Sequence, residues 1–314
     1  MVILILGAGA LGSLIGARLS QTDARVLLLT TDRQHIQAVL GRGLIVEELN
    51  NMQSRFSIPA YADPRDIAEK ADLIIVTVKS YDTTTAVDSI ADCCHASTLF
   101  LTLQNGIGNW EHISQLKGKG FVLAGSTAQG ATMVEPGRIR HGGNGQTFIG
   151  EFNEPPSERV RQVTELFRRA HLEAHASDQM QKLMWEKLLI NVGINAITAL
   201  TGIYNGTIAE LKSARDLAQS SVREALVVAR KKGFAISDDI IERVIAVAEA
   251  TAKNRSSMGQ DVDGRSRTEI DAINGAIVRF GQELAIATPV NYTLTQLIRT
   301  IEAVYLMGMG PKHE

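Results

Sequence analysis

Lys187, Asn191 and Asn195 recur at four-residue intervals in KLMWEKLLINVGINAITAL, residues 182–200, a stretch otherwise almost wholly apolar. At ~100° per residue the three drift by only ~40° per step, so on a helix they share one stripe. Such a stripe usually faces solvent. An ammonium followed by two carboxamides equally suits a polar wall against a bound molecule. A lysine can stabilise negative charge growing on an oxygen and then give up a proton. Carboxamides can donate to a carboxylate and accept from a hydroxyl without adding charge beside the lysine. The stripe by itself leaves both readings open.

A second constellation lies at the N-terminus. LGAGALG places Gly7, Ala8, Gly9, Ala10, Leu11 and Gly12 in a G-x-G-x-x-G turn after the apolar run VILIL and before a helical pattern. That context is the one in which such a turn cradles a dinucleotide. The first glycine permits the tight turn, the second admits the pyrophosphate, and the third lets helix and sheet pack. The helix N-terminus then offers free N–H groups to the anion. Where NAD-specific proteins carry an acid, about 20 residues on, this chain has Thr30 and Thr31, followed by Asp32 and Arg33. Two hydroxyls and an arginine suit a 2′-phosphate better than a bare hydroxyl, which points to NADPH. Asp32 could equally cap the next helix.

Lys79 in VKSYD and Asn105 in LQNGIG follow two further apolar runs, at strand ends where ligand groups gather in such sheets. Turn chemistry is the plainer account of each. In NRSSMGQDVDGRSRTEIDAING, residues 254–275, Ser257 and Glu269 stand out, and Gly259 and Gly264 imply a break in the helix between them. A solvated face accounts for Asp261, Asp263 and Arg265. His171 and His175 have metal-ligand spacing but no third ligand nearby, so no metal is expected.

The elements that must hold these groups fall into two rhythms. Residues 2–6, 25–29, 73–78, 99–103 and 121–125 are continuous apolar runs, as in strands buried on both faces of a parallel sheet. Helical patterns at 10–20, 33–40, 82–91 and 109–116 alternate with them, which predicts a doubly wound α/β sheet. Residues 137–143 and 146–151 suggest a hairpin at its edge. A helix opens at Pro155 and Pro156, and 172–177 suggests a last strand. From Asp178 on the pattern is helical throughout: 178–200, 207–232, 237–254, 266–286 and 290–308. Two domains are expected, 1–177 for the dinucleotide and an all-α 178–314 for substrate, with ligand in the crevice between them.

A net charge of −2 gives no footprint for nucleic acid or an anionic membrane. No run of ~18 uncharged apolar residues predicts a membrane span, and the N-terminus lacks a basic region and a cleavage site. Adjacent Cys93 and Cys94 make no disulfide framework. A soluble, reduced, cytoplasmic protein is expected. The apolar stripes of 207–232 and 290–308 could form a homodimer face, though core packing explains them equally well.

The chain resembles the ketopantoate reductases (2-dehydropantoate 2-reductases) along nearly its whole length. GAGALG (7–12), QNG (104–106), WEKLLINVGINAITAL (185–200), SSMGQD (256–261) and RTEIDAINGAIV (267–278) stand in the family's order and spacing, the last three being the most specific. The resemblance implies a Rossmann domain followed by a helical one. It also implies NADPH-dependent reduction of 2-ketopantoate to D-pantoate on the route to pantothenate and coenzyme A. Lys187 matches the family's catalytic lysine. Asn191, Asn195, Asn205 and Ser257 match its substrate contacts, and Glu269 matches the glutamate near lysine and cofactor. Asn105 matches an asparagine touching both cofactor and substrate. Ala131 matches a backbone contact to the cofactor, and Lys79 a lysine near the nicotinamide. Thr31 stands where some members carry an arginine for the 2′-phosphate, and Arg33 lies two residues later.

Three other readings compete. Hydroxyacid dehydrogenases of the 3-hydroxyacid or 6-phosphogluconate type share K-x-x-x-N, but they usually precede that lysine with a glycine-rich turn, and SDQMQKLMWE has no glycine. A relative acting on another 2-keto acid would keep the whole pattern. A non-catalytic dinucleotide sensor would not need Lys187, Asn105, Ser257 and Glu269 together.

Overall fold

A computed structural model describes residues 1–152 and 154–308. The chain forms two compact units: Met1–Gln104 with Gly108–Gln181, and Asn105–Ile107 with the chain from Lys182 onward.

The first unit is a Rossmann-type α/β sheet. In chain order it runs β1 (Val2–Leu6), α1 (Ala10–Leu19), β2 (Arg25–Leu29), α2 (Arg33–Arg42), β3 (Leu44–Glu47), β4 (Gln53–Phe56), β5 (Ala60–Tyr61) and β6 (Ala71–Val76). It continues through α3 (Thr83–Ser89), β7 (Cys94–Thr102), α4 (Asn109–Lys117), β8 (Val122–Glu135), β9 (Arg138–Gly150), α5 (Glu158–Arg169) and β10 (Ala174–Ala176). Strand order is β4-β3-β9-β8-β7-β6-β1-β2-β5, with β10 on β9. The central strands β2, β1, β6, β7 and β8 are parallel. Their continuous apolar runs are buried on both faces, Ile3, Leu4 and Ile5 having no exposed surface.

Two features depart from the sequence expectation. Residues 137–143 and 146–151 do not pair with each other. Residues 138–143 and 146–150 belong to one strand, β9, whose antiparallel partner is β8, and Pro136 and Gly137 turn the chain between the two strands. The cluster Gly142, Gly143 and Gly145 looks like a turn but lies within the strand. Across from it the register slips between Thr127 and Gln129 and between Gly130 and Ala131, the irregularity that glycines in strands commonly accompany. Strands β3, β4 and β5 have only four, four and two residues, too few for a periodic signal.

The second unit carries α6 (Met180–Thr201, which begins in the first unit), α7 (Thr207–Glu210), α8 (Lys212–Lys231), α9 (Ile240–Ala250), α10 (Ser257–Asp263), α11 (Asn274–Glu283) and α12 (Pro289–Leu306). The expected helix at 207–232 is split at Leu211. The one at 266–286 is a 3₁₀ turn at Ile270–Ala272 followed by α11. The core is built around α6, whose Leu188, Leu189, Val192, Ile197 and Ala199 are buried. A Cβ on Gly193 would stand 2.6 Å from Val244 Cγ1 and 2.8 Å from Val222 Cγ2, so glycine lets α8 and α9 close onto α6. By length and composition α6 could cross a membrane, which a search for uncharged runs misses. However, 67% of its apolar window is buried within the protein.

Candidate functional site

The glycine turn follows β1. Gly7 has φ 100°, and a Cβ there would lie 2.4 Å from Val78 N. A Cβ on Gly12 would meet Gly7 O at 2.4 Å and Thr77 Oγ1 at 2.5 Å. Both glycines are therefore required by the fold itself. Gly9 is different: a Cβ there would find its nearest atom 4.0 Å away. Nothing in the protein needs glycine at that position, whereas a group lying against the turn would. The N–H groups of Gly7 and Ala8 both donate to Leu29 O at 2.9 Å, which locks the turn to β2. No side chain caps the N-terminus of α1, so its first amides remain available to an anion. These features fit a dinucleotide pyrophosphate.

At the tip of β2, Asp32 caps α2, accepting from His35 N at 3.0 Å, so its carboxylate serves the helix. Arg33 begins α2 and is exposed. Beside it runs β5, followed by Asp63 and Arg65, a pair that sequence reasoning missed because a two-residue strand carries no pattern. Arg65 Nε donates to Asp63 Oδ1 at 3.0 Å, and Thr30 N donates to Tyr61 O. The Arg65 guanidinium, with a smaller contribution from Arg33, holds the Asp63 carboxyl down at about 2. Lys79 stands three residues past β6 and precedes a short 3₁₀ turn. Ala131 sits in β8 at a register slip, opposite His141.

In the helical unit, Lys187, Asn191 and Asn195 all lie on α6, and the row sinks inward along the helix. Lys187 and Asn191 are half-buried, and Asn195 is only 4% exposed. This is not a solvated face. Burial pulls the Lys187 ammonium down to about 8, and the Glu269 carboxylate opposes that fall.

Glu269 is 6% exposed and immediately precedes the 3₁₀ turn. Thr268 supports that turn, its Oγ1 accepting from Ile270 N at 3.1 Å while its own N–H donates to Glu302 Oε1 at 2.6 Å. The segment Asn105–Ile107 reaches the same turn. Gly106 has φ 81°, and a Cβ there would lie 2.6 Å from Ala272 Cβ; Ile107 N donates to Ala272 O at 3.3 Å. This contact explains the glycine of QNG and brings Asn105 to Glu269, with Nδ2 3.5 Å from Oε2. That separation is long for a hydrogen bond.

Ser257, the first residue of α10, is exposed, and Asn195 Nδ2 lies 3.5 Å from its Oγ. Two residues that sequence reasoning passed over sit beneath this pair. Thr198 Oγ1 donates to Ser256 Oγ at 2.7 Å, and Ser256 accepts from Gly259 N at 3.0 Å to cap α10. Thr198 continues the stripe of Asn191 and Asn195 by one further i+3 step, the signal that could have found it. Asn205 is buried, its Nδ2 donating to Thr251 Oγ1 at 3.0 Å. Its Oδ1 is buried with no hydrogen-bond partner among the described residues. Among those residues no group of three or more His, Cys, Asp or Glu could hold a metal.

An ammonium with a perturbed proton affinity, a neighbouring buried carboxylate and uncharged amides in line can polarise a carbonyl and deliver a proton to it. The ketopantoate reductase PanE/ApbA family matches residues 3–154, and its C-terminal part matches residues 179–302. A 2-dehydropantoate 2-reductase of Halobacterium salinarum is 37% identical over 299 residues, 95% of this chain and 98% of its own. The crystal structure of a PanE/ApbA family ketopantoate reductase from Ralstonia eutropha is similar with a TM-score of 0.89 at 31% identity, covering 98% of this chain and 100% of that one. The ternary structure of D-mandelate dehydrogenase with NADH and anilino(oxo)acetate gives 0.91 at 26% identity with the same coverage. Matched in both of its units, the chain belongs to the ketopantoate reductase family of oxidoreductases.

Proposed function

We propose that the protein reduces 2-dehydropantoate to D-pantoate with NADPH, in pantothenate biosynthesis, and that Lys187 is the general acid. The observation that carries this reading is the row Lys187, Asn191 and Asn195, half-buried at its first two members and buried at the third, with the ammonium held near 8 between burial and Glu269. When bound, the reduced nicotinamide would supply a hydride to the ketone carbon. Negative charge then grows on the ketone oxygen, where the Lys187 ammonium stabilises it and transfers one proton to it, leaving a hydroxyl. Glu269 keeps the lysine charged at neutral pH against the pull of burial. Asn191 and Asn195 bind the substrate's carboxylate and hydroxyl. Asn205 and Ser257 complete that side, Asn205 with its unpartnered buried oxygen as an acceptor. Asn105, next to Glu269, serves substrate and cofactor alike.

On the cofactor side, residues 7–12 cradle the pyrophosphate, with Gly9 as the point of close approach. Arg33, with Thr30 and Thr31, would hold the 2′-phosphate, and Lys79 and Ala131 would hold the cofactor further along. The relatives named 2-dehydropantoate 2-reductase support the substrate assignment. The likeness to D-mandelate dehydrogenase with NADH favours one alternative, reduction of a different 2-keto acid with NADH. Oxidation of NADPH and NADH against a panel of branched and aromatic 2-keto acids separates the two. Highest kcat/KM for ketopantoate with NADPH is expected, and a preference for an aromatic keto acid with NADH would overturn the assignment.

A further inference from the structure

Ser13 and His35 have no exposed surface. They form a chain of three hydrogen bonds whose direction is determined by its ends. The Gly137 N–H must donate, and its acceptor is His35 Nδ1 at 3.0 Å. In a neutral imidazole the proton then resides on Nε2, which lies 3.1 Å from Ser13 Oγ and donates to it. Ser13 Oγ in turn donates to Ala8 O at 3.2 Å. Burial lowers the His35 proton affinity and so favours this neutral form.

The chain joins three segments. Ala8 lies inside the glycine turn. His35 is in the first turn of α2, two residues after Arg33, and its backbone N–H is held by Asp32. Gly137 is the turn between β8 and β9, with φ 78°, and a Cβ there would stand 2.7 Å from Ala38 Cβ of α2. The hairpin it closes carries Ala131. The three segments linked by one buried relay are thus the three that carry the proposed pyrophosphate, 2′-phosphate and backbone contacts.

We propose that Ser13 and His35 are positioning residues for the dinucleotide, setting the glycine turn, the start of α2 and the β8–β9 hairpin in mutual register before the cofactor binds. This rests on the cofactor reading above. A preset geometry spares binding the cost of ordering those segments, so loss of the relay weakens dinucleotide affinity and leaves the chemistry on α6 alone.

The test uses the full-length protein, with NADPH binding followed by nucleotide fluorescence and by steady-state kinetics. His35→Ala is expected to raise both Kd and KM for NADPH about tenfold, with kcat at saturating NADPH and KM for the keto acid within about twofold of wild type. Glutamine presents a carboxamide N–H and C=O where histidine presents Nε2–H and Nδ1, so His35→Gln is expected to recover most of the affinity and His35→Leu none. Ser13→Ala removes only the link to Ala8 and covers the case in which His35 variants fail to fold; a rise of several-fold in Kd is expected. Unchanged NADPH affinity in Ser13→Ala, or equal behaviour of His35→Gln and His35→Leu, would overturn the relay. A wild-type protein that binds neither NADPH nor NADH would remove the cofactor reading itself, and the relay with it.

Discussion

As the proposed general acid, Lys187 sets function against stability. Its proton affinity falls from an ordinary 10.5 to about 8 on folding. At about 1.4 kcal/mol for each tenfold change, that drop costs the folded state about 3 kcal/mol whenever the group is charged. The unfolded chain holds this proton more tightly, so the penalty is complete below pH 8. It is relieved between pH 8 and 10.5 and absent above, so this group makes stability rise with pH across that window. Replacing Lys187 alone by methionine would leave the buried Glu269 carboxylate without its cation. The double variant Lys187→Met with Glu269→Gln removes both charges and isolates the effect. It should be more stable than wild type at pH 7 by up to about 3 kcal/mol in urea melts, and the gain should shrink towards pH 10. Its kcat should fall by at least about 10²-fold. Wild-type kcat/KM should decline above pH 8 as the ammonium is lost, and Glu269→Gln should move that decline to lower pH. A structural lysine behaves oppositely: its loss destabilises and leaves the pH profile alone. A double variant less stable than wild type at pH 7, or wild-type kcat/KM flat to pH 10, would refute the reasoning.

Asn191→Ala and Asn195→Ala should each weaken ketopantoate binding by about 1–3 kcal/mol, the cost of an unmade buried hydrogen bond, with melting temperature near wild type; lost stability at unchanged affinity would make the row structural. Arg33→Ala should raise KM for NADPH and leave that for NADH nearly unchanged, and equal losses for both would show that Arg33 does not read the 2′-phosphate. Gly106→Ala adds a methyl 2.6 Å from Ala272 Cβ at a φ of 81°. It should displace Asn105 from Glu269 and lower kcat, and a fully active variant would show that this contact is dispensable.

What could be seen in the sequence was whatever repeats at short range. The central strands announce themselves because burial on both faces demands unbroken apolar runs, and β1 and β2 fall at the expected residues. The row on α6 is legible because i+4 spacing survives as geometry wherever the helix sits. The β8–β9 hairpin was not legible: Gly142, Gly143 and Gly145 carry the signature of a turn, and only pairing with β8 keeps them in a strand. The segment 266–286 was not legible either, since the contact of Gly106 with Ala272 is made by residues more than 160 positions apart.

The same division separates the chemistry from what holds it. Lys187, Asn191 and Asn195, the row proposed to do the chemistry, could be found because their spacing sets them on one face of α6. Ser13, His35, Thr198 and Ser256 could not, because a serine, a threonine or a histidine inside an amphipathic pattern is ordinary until its partners are known. These supporting groups are the ones with no freedom left. His35 and Ser13 are fully buried, with the proton on each assigned by its neighbours, whereas Asn105 Nδ2 to Glu269 Oε2 and Asn195 Nδ2 to Ser257 Oγ are each 3.5 Å, the outer limit of a hydrogen bond. Loose contacts at that distance can be exchanged for a ligand at little cost, and tight buried ones cannot. Cofactor affinity should therefore respond to change in the rigid Ser13–His35 layer beneath the glycine turn, and substrate affinity and choice to change in the looser contacts of Asn105 and Asn195.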